Sequence, residues 1–411
     1  MTTAAHRPRP APSAPAFGTP LQARSRSTHD GATLRLNLPC RAARLLVAAA
    51  VPLLLGGCAG TGYYWQSVQG HLRLMEAARP VDDWLADPGT SAALKARLQL
   101  AQRIRAFASR EVGLPDNASY RRFSRLGRTA AVWNVVAAPP LSLTLHTWCF
   151  PVTGCVGYRG YYAEADARAE AEALRRQGLE TVVYGVPAYS TLGWLNWAGG
   201  DPLLDTFIGY PDGELARLVF HELAHQVVFV PGDTMFNESF ATAVERIGRD
   251  RWLATEATPA AREAWARHAQ RAQDFRALVS ETRRRLQAIY EGNGAPAPDP
   301  AAQLAMKNEA MQQFRAAYAA LRERWGGDAA AVAGYDAWVA RANNAAFGAQ
   351  AAYDAWVPAF EALFARAEAA APADPWPAFY ADVRRLAALP APARRAALAA
   401  AAPDAVIPAT R

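Results

Sequence analysis

His221-Glu222-Leu223-Ala224-His225, followed by Asn237-Glu238, is the stretch whose reading decides this chain. On a helix, His221 and His225 stand one turn apart on one face, so both imidazoles can reach a single metal ion. Glu222 lies about 100° round the axis from His221. A carboxylate there can sit beside an attacking water rather than on the metal. The lead-in Gly213 to Phe220 carries apolar residues at helical spacing, Asp212-Gly213 can start a helix, and Pro231-Gly232-Asp233 stops one. As plain members of an amphipathic helix, two His and a Glu would each need polar partners to offset burial.

A zinc site of this kind needs a third protein ligand and one open position. Gln226-Val227-Val228-Phe229-Val230 holds no His, and the only His beyond His225 is the distant His268, one of seven in the chain. That leaves a carboxylate. Glu238 and Glu245 are seven residues apart and share one helix face. Glu238 is assigned as the ligand, with Asp233, in the turn between the helices, as a weaker rival. Glu245 is then either an acceptor for the N–H of a ligand His, fixing its tautomer, or a solvated surface charge.

HExxH followed by Asn-Glu at the start of a second helix resembles the gluzincin metallopeptidases, the group containing thermolysin and the aminopeptidase N-like enzymes. The Glu-x6-Glu spacing is similar to the aminopeptidase branch, in which the first Glu binds zinc and the second supports a ligand His. The gap from His225 to Glu238 is shorter than in those enzymes. A closer resemblance, across nearly all of the chain after the leader, is to the bacterial predicted aminopeptidases, often lipoproteins. It is carried by Tyr63-Tyr64-Trp65-Gln66, Val132-Trp133-Asn134-Val135-Val136-Ala137-Ala138-Pro139, Trp148-Cys149-Phe150-Pro151, Gly185 to Trp194 and the segment from His221 to Thr242. The resemblance implies a zincin-like core, Zn2+ as cofactor and peptides as substrates. It also implies an edge strand beside the metal that pairs with the substrate. Tyr189-Ser190-Thr191-Leu192 is expected to be that strand, or else a structural hairpin.

In such a mechanism Glu222 is the general base, and one further donor stabilises the oxyanion. Tyr353 is the candidate, with Tyr335, Tyr189 and His146 open. The aminopeptidase N-like enzymes keep a Gly-x-Met-Glu-Asn motif for the substrate's α-amine, and this chain has none. Three readings of function stay open. They are a zinc aminopeptidase, a zinc endopeptidase acting on envelope proteins, and a non-enzymatic envelope lipoprotein with a binding role.

Leu55-Gly56-Gly57-Cys58 reads as a lipobox, after an apolar run from Leu45 to Leu55 and the basic Arg41 and Arg44. Cys58 is expected to carry lipid, which places the chain in the periplasm on the outer membrane. Residues 1–57 hold seven of the 44 basic and one of the 37 acidic residues. The formal charge of +7 therefore falls to +1 from Cys58 onward, and the basic balance is no argument for nucleic acid. Cys149 and Cys155 remain of the four Cys and are expected to pair in an oxidising compartment.

The pattern indicates an α+β fold, predominantly helical. Residues 1–57 are a disordered extension and signal peptide, 58–258 an α/β catalytic region, and 259–411 a helical C-terminal region with a mobile tail from Pro390. Val132–Val136, Ser142–Leu145 and Thr181–Val186 read as short strands, and Glu164–Gln177 as a helix.

Overall fold

The computed structural model describes residues 62–402, apart from 151–153, 189, 194–195, 197–198, 293–298, 327 and 355. The expected Cys58 anchor and leader therefore lie outside the described residues. The fold is α+β and predominantly helical.

Two helices carry the motif. Helix α5 (Asp212–Ala224) begins after Pro211, with Asp212 and Glu214 in its first turn and His221 in its last, the charge order that a helix dipole favours. The Asp233 side chain caps helix α6 (Thr234–Thr255) by accepting the Phe236 N–H at 3.1 Å. Phe236, Phe240 and Val244 recur every fourth residue along α6 and are fully buried. They meet Phe360 of α11 (Val357–Ala370), with ring centroids 5.2 and 5.7 Å from Phe236 and Phe240. This core also takes in α2 (Val81–Ala86), α3 (Ala92–Glu111), α12 (Trp376–Ala387) and α13 (Ala391–Ala401). The largest core thus runs from Leu74 to Leu398, on both sides of residue 258. A second core lies among α7 (Pro259–Glu291), α8 (Pro300–Arg324) and α9 (Ala329–Arg341).

Strand β1 (Arg79–Pro80) pairs antiparallel with β2 (Arg122–Ser124), which runs parallel to β8 (Leu203–Leu204). The main sheet has the order β6 (Arg159–Tyr161), β3 (Val132–Ala138), β7 (Glu180–Val186), all antiparallel. Alternation along β3 sends Trp133, Val135 and Ala137 against Ala167, Ala171 and Leu174 of α4 (Glu164–Arg176). It sends Val136 and Ala138 the other way, toward Ala345 and Ala346 of α10 (Asn344–Asp354). Burial on both faces explains why β3 is apolar at every position except Asn134. The third sheet is the hairpin β4 (Trp148–Phe150) and β5 (Gly154–Val156), closed by a Cys149–Cys155 disulfide. An N-terminal helix, α1, covers residues 62–76.

Three sequence expectations are corrected. Ser142–Leu145 is not a strand. The Ser142 N–H donates to the Pro139 carbonyl at 3.3 Å and the Thr144 N–H to the Ser142 hydroxyl at 3.1 Å, local turns in place of a ladder, while Asn344 holds the Pro139 and Pro140 carbonyls just before. Ser190 to Leu192 do not form a strand either, since β7 ends at Val186 before Pro187. Leu192 has φ +55°, outside the extended region, and Tyr189 lies outside the described residues. Finally, the chain from Pro390 forms α13, whose Leu398 is buried in the main core.

Arg394 of α13 is buried and holds Asp233 Oδ2 at 2.7 and 3.0 Å. It also donates to the Ala387 and Leu389 carbonyls. Removing one partner of a buried pair strands the other. Arg394→Ala is expected to lower stability by about 3 kcal/mol, read as a reduced urea midpoint. An unchanged midpoint would mean that α13 does not brace the α6 N-terminus.

Candidate metal centre and its cleft

Helices α5 and α6 bring three ligand atoms to one point. His221 Nε2 and His225 Nε2 are 3.2 Å apart. Glu238 Oε2 lies 3.3 Å from the first and 3.8 Å from the second. Among the described residues no other group of three or more His, Cys, Asp or Glu gathers in this way. The donor set fits Zn2+. Ligands at about 2.0–2.1 Å in a tetrahedron are separated by about 3.3–3.4 Å, close to the spacings found. The charges fit as well. Burial pushes His221 down, but Glu238 and Glu245 overcome it and hold it up at about 10. Burial, with His221 beside it, pushes His225 down to about 4. Without a metal, the proton on His221 is the positive charge that holds the Glu238 carboxylate beside the neutral His225, and a metal cation would take that proton's place.

A chain of ion pairs stands behind the ligands. His221 Nδ1 lies 2.9 Å from Glu245 Oε2, which leaves Nε2 to face the other ligands. The same Oε2 accepts from Arg217 at 2.9 Å. Arg217 donates to Glu214 at 3.0 Å, and Glu214 meets His268 of α7 at 3.0 Å. Glu245 is thus buried and paired, not a surface charge. Asn237 clamps the turn between the two helices: it accepts from the Val230 N–H and donates to the Val230 carbonyl, both at 2.8 Å. Asp233, the rival ligand, is occupied by Arg394 and by capping α6.

Glu222 lines the cavity beside these ligands. Burial pushes its carboxyl up to about 7, helped by Glu238 and Asp201 and opposed by His221 and the Ser190 hydroxyl. Ser190 also lies 3.5 Å from Asp201 Oδ2, while the Thr191 N–H donates to Asp201 Oδ1 at 3.0 Å. The loop expected to bind substrate therefore holds Asp201 and Glu222 in place. Burial pushes Asp201 up to about 6, against the hydrogen bonds from Thr191 and Ser190.

The cavity, of about 1130 Å³, is lined by successive turns of α5, α6 and α7, by β7 and by Phe150, Val156 and Tyr158 around the hairpin. Burial, then Glu238, Tyr184 and Glu222, push the Tyr158 phenol far up, so it keeps its proton as a donor. Of the oxyanion candidates, Tyr335 packs on Phe275 and Trp325, and His146 sits edge-on to Trp148. Neither lines the cavity. Tyr353 is on α10, but its side chain, like Tyr189, lies outside the described residues. Tyr158 and Arg217 were missed. The first has no local motif, and the second is separated from Glu245 by 28 positions.

A family model described as "Putative aminopeptidase" matches residues 62–398. The chain belongs to that family. No curated protein and no solved structure matches it. In this aminopeptidase-family chain the match runs from α1 into α13, so it takes in the whole cleft and the helices that brace it.

The ion-pair chain has a signature in acid. Burial alone would raise the Glu214 carboxyl, yet His268 and Arg217 hold it at about 2, below its ordinary 4.5. The folded state then binds this proton less readily than the unfolded chain. The stabilisation is complete above about pH 4.5 and is lost as pH falls toward 2. Glu214→Gln is expected to cost about 3 kcal/mol at pH 7 and much less at pH 3. Urea unfolding of both proteins at the two pH values checks this. A gap that does not shrink in acid would contradict it.

Proposed function

We propose that this chain is a zinc-dependent peptidase of aminopeptidase type, with His221, His225 and Glu238 as metal ligands and Glu222 as general base. The observation that carries the reading is the meeting of two Nε2 atoms and one carboxylate oxygen beside a further buried carboxylate. Bound zinc would supply a Lewis acid for the scissile carbonyl and lower the pKa of an attacking water. Glu222, poised near neutrality by burial, takes the proton of that water and hands it to the leaving amine. Glu245 orients His221 through Nδ1. The Tyr158 hydroxyl, not Tyr353, is the donor we assign to the developing oxyanion.

The wall of the cleft suits an extended substrate. In the β6-β3-β7 sheet, β7 is an edge. Asn343 and Arg341 already donate to the Thr181 and Val183 carbonyls on its open side. Gly185 shares their parity and lies in the cavity wall with Val186, Pro187 and Ala188. A peptide can add itself only along this short stretch, which favours cleavage near a chain end. One observation favours an endopeptidase instead. Glu214, Glu222, Glu238 and Glu245, the carboxylates lining the cavity, are each engaged within the site, so none is left over for an α-amine. A non-enzymatic binding role gives Glu222 nothing to do.

We also assign Cys58 as a lipidated first residue that anchors the chain to the outer membrane within the periplasm. The Cys149–Cys155 disulfide supports an oxidising compartment. No helix among the described residues is long and apolar enough to cross a membrane.

Purified protein is expected to hold about one zinc per chain by elemental analysis, and so is Glu222→Gln. Hydrolysis of amino-acid arylamides should appear in the parent alone, and N-acetylated substrates should resist it. Cleavage of the blocked peptides would select the endopeptidase, and properly folded parent without zinc would end the metallopeptidase reading. Glu238→Ala should weaken zinc binding by at least about 100-fold, and equal affinity would remove it from the ligand set. Tyr158→Phe should lower kcat by about 100-fold or more with little change in KM. An unchanged kcat would return the oxyanion role to another donor.

A further inference from the structure

Helix α1 is amphipathic in reverse. At about 100° per residue, Tyr63, Gln66, Ser67, Gly70 and Leu74 share one arc, and this arc faces the protein. Tyr63 stacks on Phe150 and packs edge-on to Tyr161, at centroid distances of 5.6 Å each. Gln66 accepts from the Tyr162 N–H at 3.1 Å, and Leu74 is fully buried. A Cβ on Gly70 would run into the Tyr162 ring, so the helix backbone lies directly on the body of the protein. The opposite arc, about 100° wide, holds Tyr64, which also borders the cavity, and then Trp65, Val68 and Leu72. They are 48, 63, 51 and 52% exposed. Seven large hydrophobic residues are exposed among the described residues, and the four most open are these. Chance exposure scatters apolar residues singly; a stripe on a helix locked by its other face marks a docking surface.

We propose that this stripe docks on a lipid bilayer, lying along its interface beside the acylated Cys58. The occupant follows from the chain that precedes the helix. Cys58 is four residues before α1 begins, a link of at most about 14 Å. An acyl chain on Cys58 brings the first turns of α1 to the membrane. The stripe has the composition of an interfacial face, with Trp and Tyr near the anchored end and aliphatic residues following. The choice of occupant rests on the lipoprotein reading of Cys58, whereas the apolar face does not.

The test uses the chain from residue 58 with Cys58→Ser, which contains every core described above and carries no acyl group. It is floated with vesicles of phosphatidylethanolamine and phosphatidylglycerol, beside a variant that adds Trp65→Gln, Val68→Gln and Leu72→Gln. The first protein is expected to co-float, and the variant to partition at least about tenfold less with an unchanged thermal unfolding curve. Equal partitioning of the two, or no binding by the first, overturns the proposal. So does a dimer of the first protein that the substitutions dissociate, since the occupant would then be a second copy. Mass analysis of the N-terminus of membrane-extracted protein reads the anchor separately. An unmodified Cys58 in a protein that still co-floats would refute the anchor and leave the docking face standing.

Discussion

Two imidazole nitrogens and a carboxylate oxygen held 3.2 to 3.8 Å apart, out of water, are a standing electrostatic demand. Nothing in elementary chemistry keeps such groups together without positive charge between them or a rigid frame around them. Most of the architecture is that frame. Asn237 fixes the turn that sets α6 against α5, Arg394 returns from the end of the chain to hold the cap of α6, and Phe236 and Phe240 press α6 into the main core.

Charge is managed in the same spirit. Behind His221, opposite charges alternate outward through Glu245, Arg217 and Glu214, and the His268 imidazole on a third helix closes the chain. Each buried ion has a partner, so none bears its desolvation alone. The free end of the chain is partly exposed at His268, where solvent shares the load. Glu222 stands outside this chain. Burial and the charges of His221, Glu238 and Asp201 act on it, and the Ser190 hydroxyl hydrogen-bonds to it. The proposed base thus keeps a proton affinity near neutrality.

What could be read from sequence follows from the range of the interactions. His221, His225 and Glu222 are set by helical spacing alone, and Glu238 and Glu245 by the next helix, so local pattern reached all five. Arg217 has no pattern, because its meaning comes from Glu245 across the α5–α6 contact. Tyr158 lies between two short strands and meets Glu238 only across the folded cavity. The failures run the same way. Ser142–Leu145 has strand-like residues, but Asn344 meets the carbonyls just before it from 204 positions away. Ser190-Thr191-Leu192 has them too, yet Asp201 captures the Thr191 N–H. The Ala- and Pro-rich end looked idle because Leu398 and Arg394 find their partners only in the folded core.

The disulfide hairpin touches this centre more closely than its position suggests. Gly154, at φ +73°, lies so near the turn between α5 and α6 that a Cβ on it would be 2.7 Å from the Gly232 Cα. The oxidised pair thus fastens a hairpin whose Gly154 rests on the turn joining the helices that carry His221, His225 and Glu238. The bond that closes the hairpin therefore bears, through packing alone, on how the two helices of the site meet.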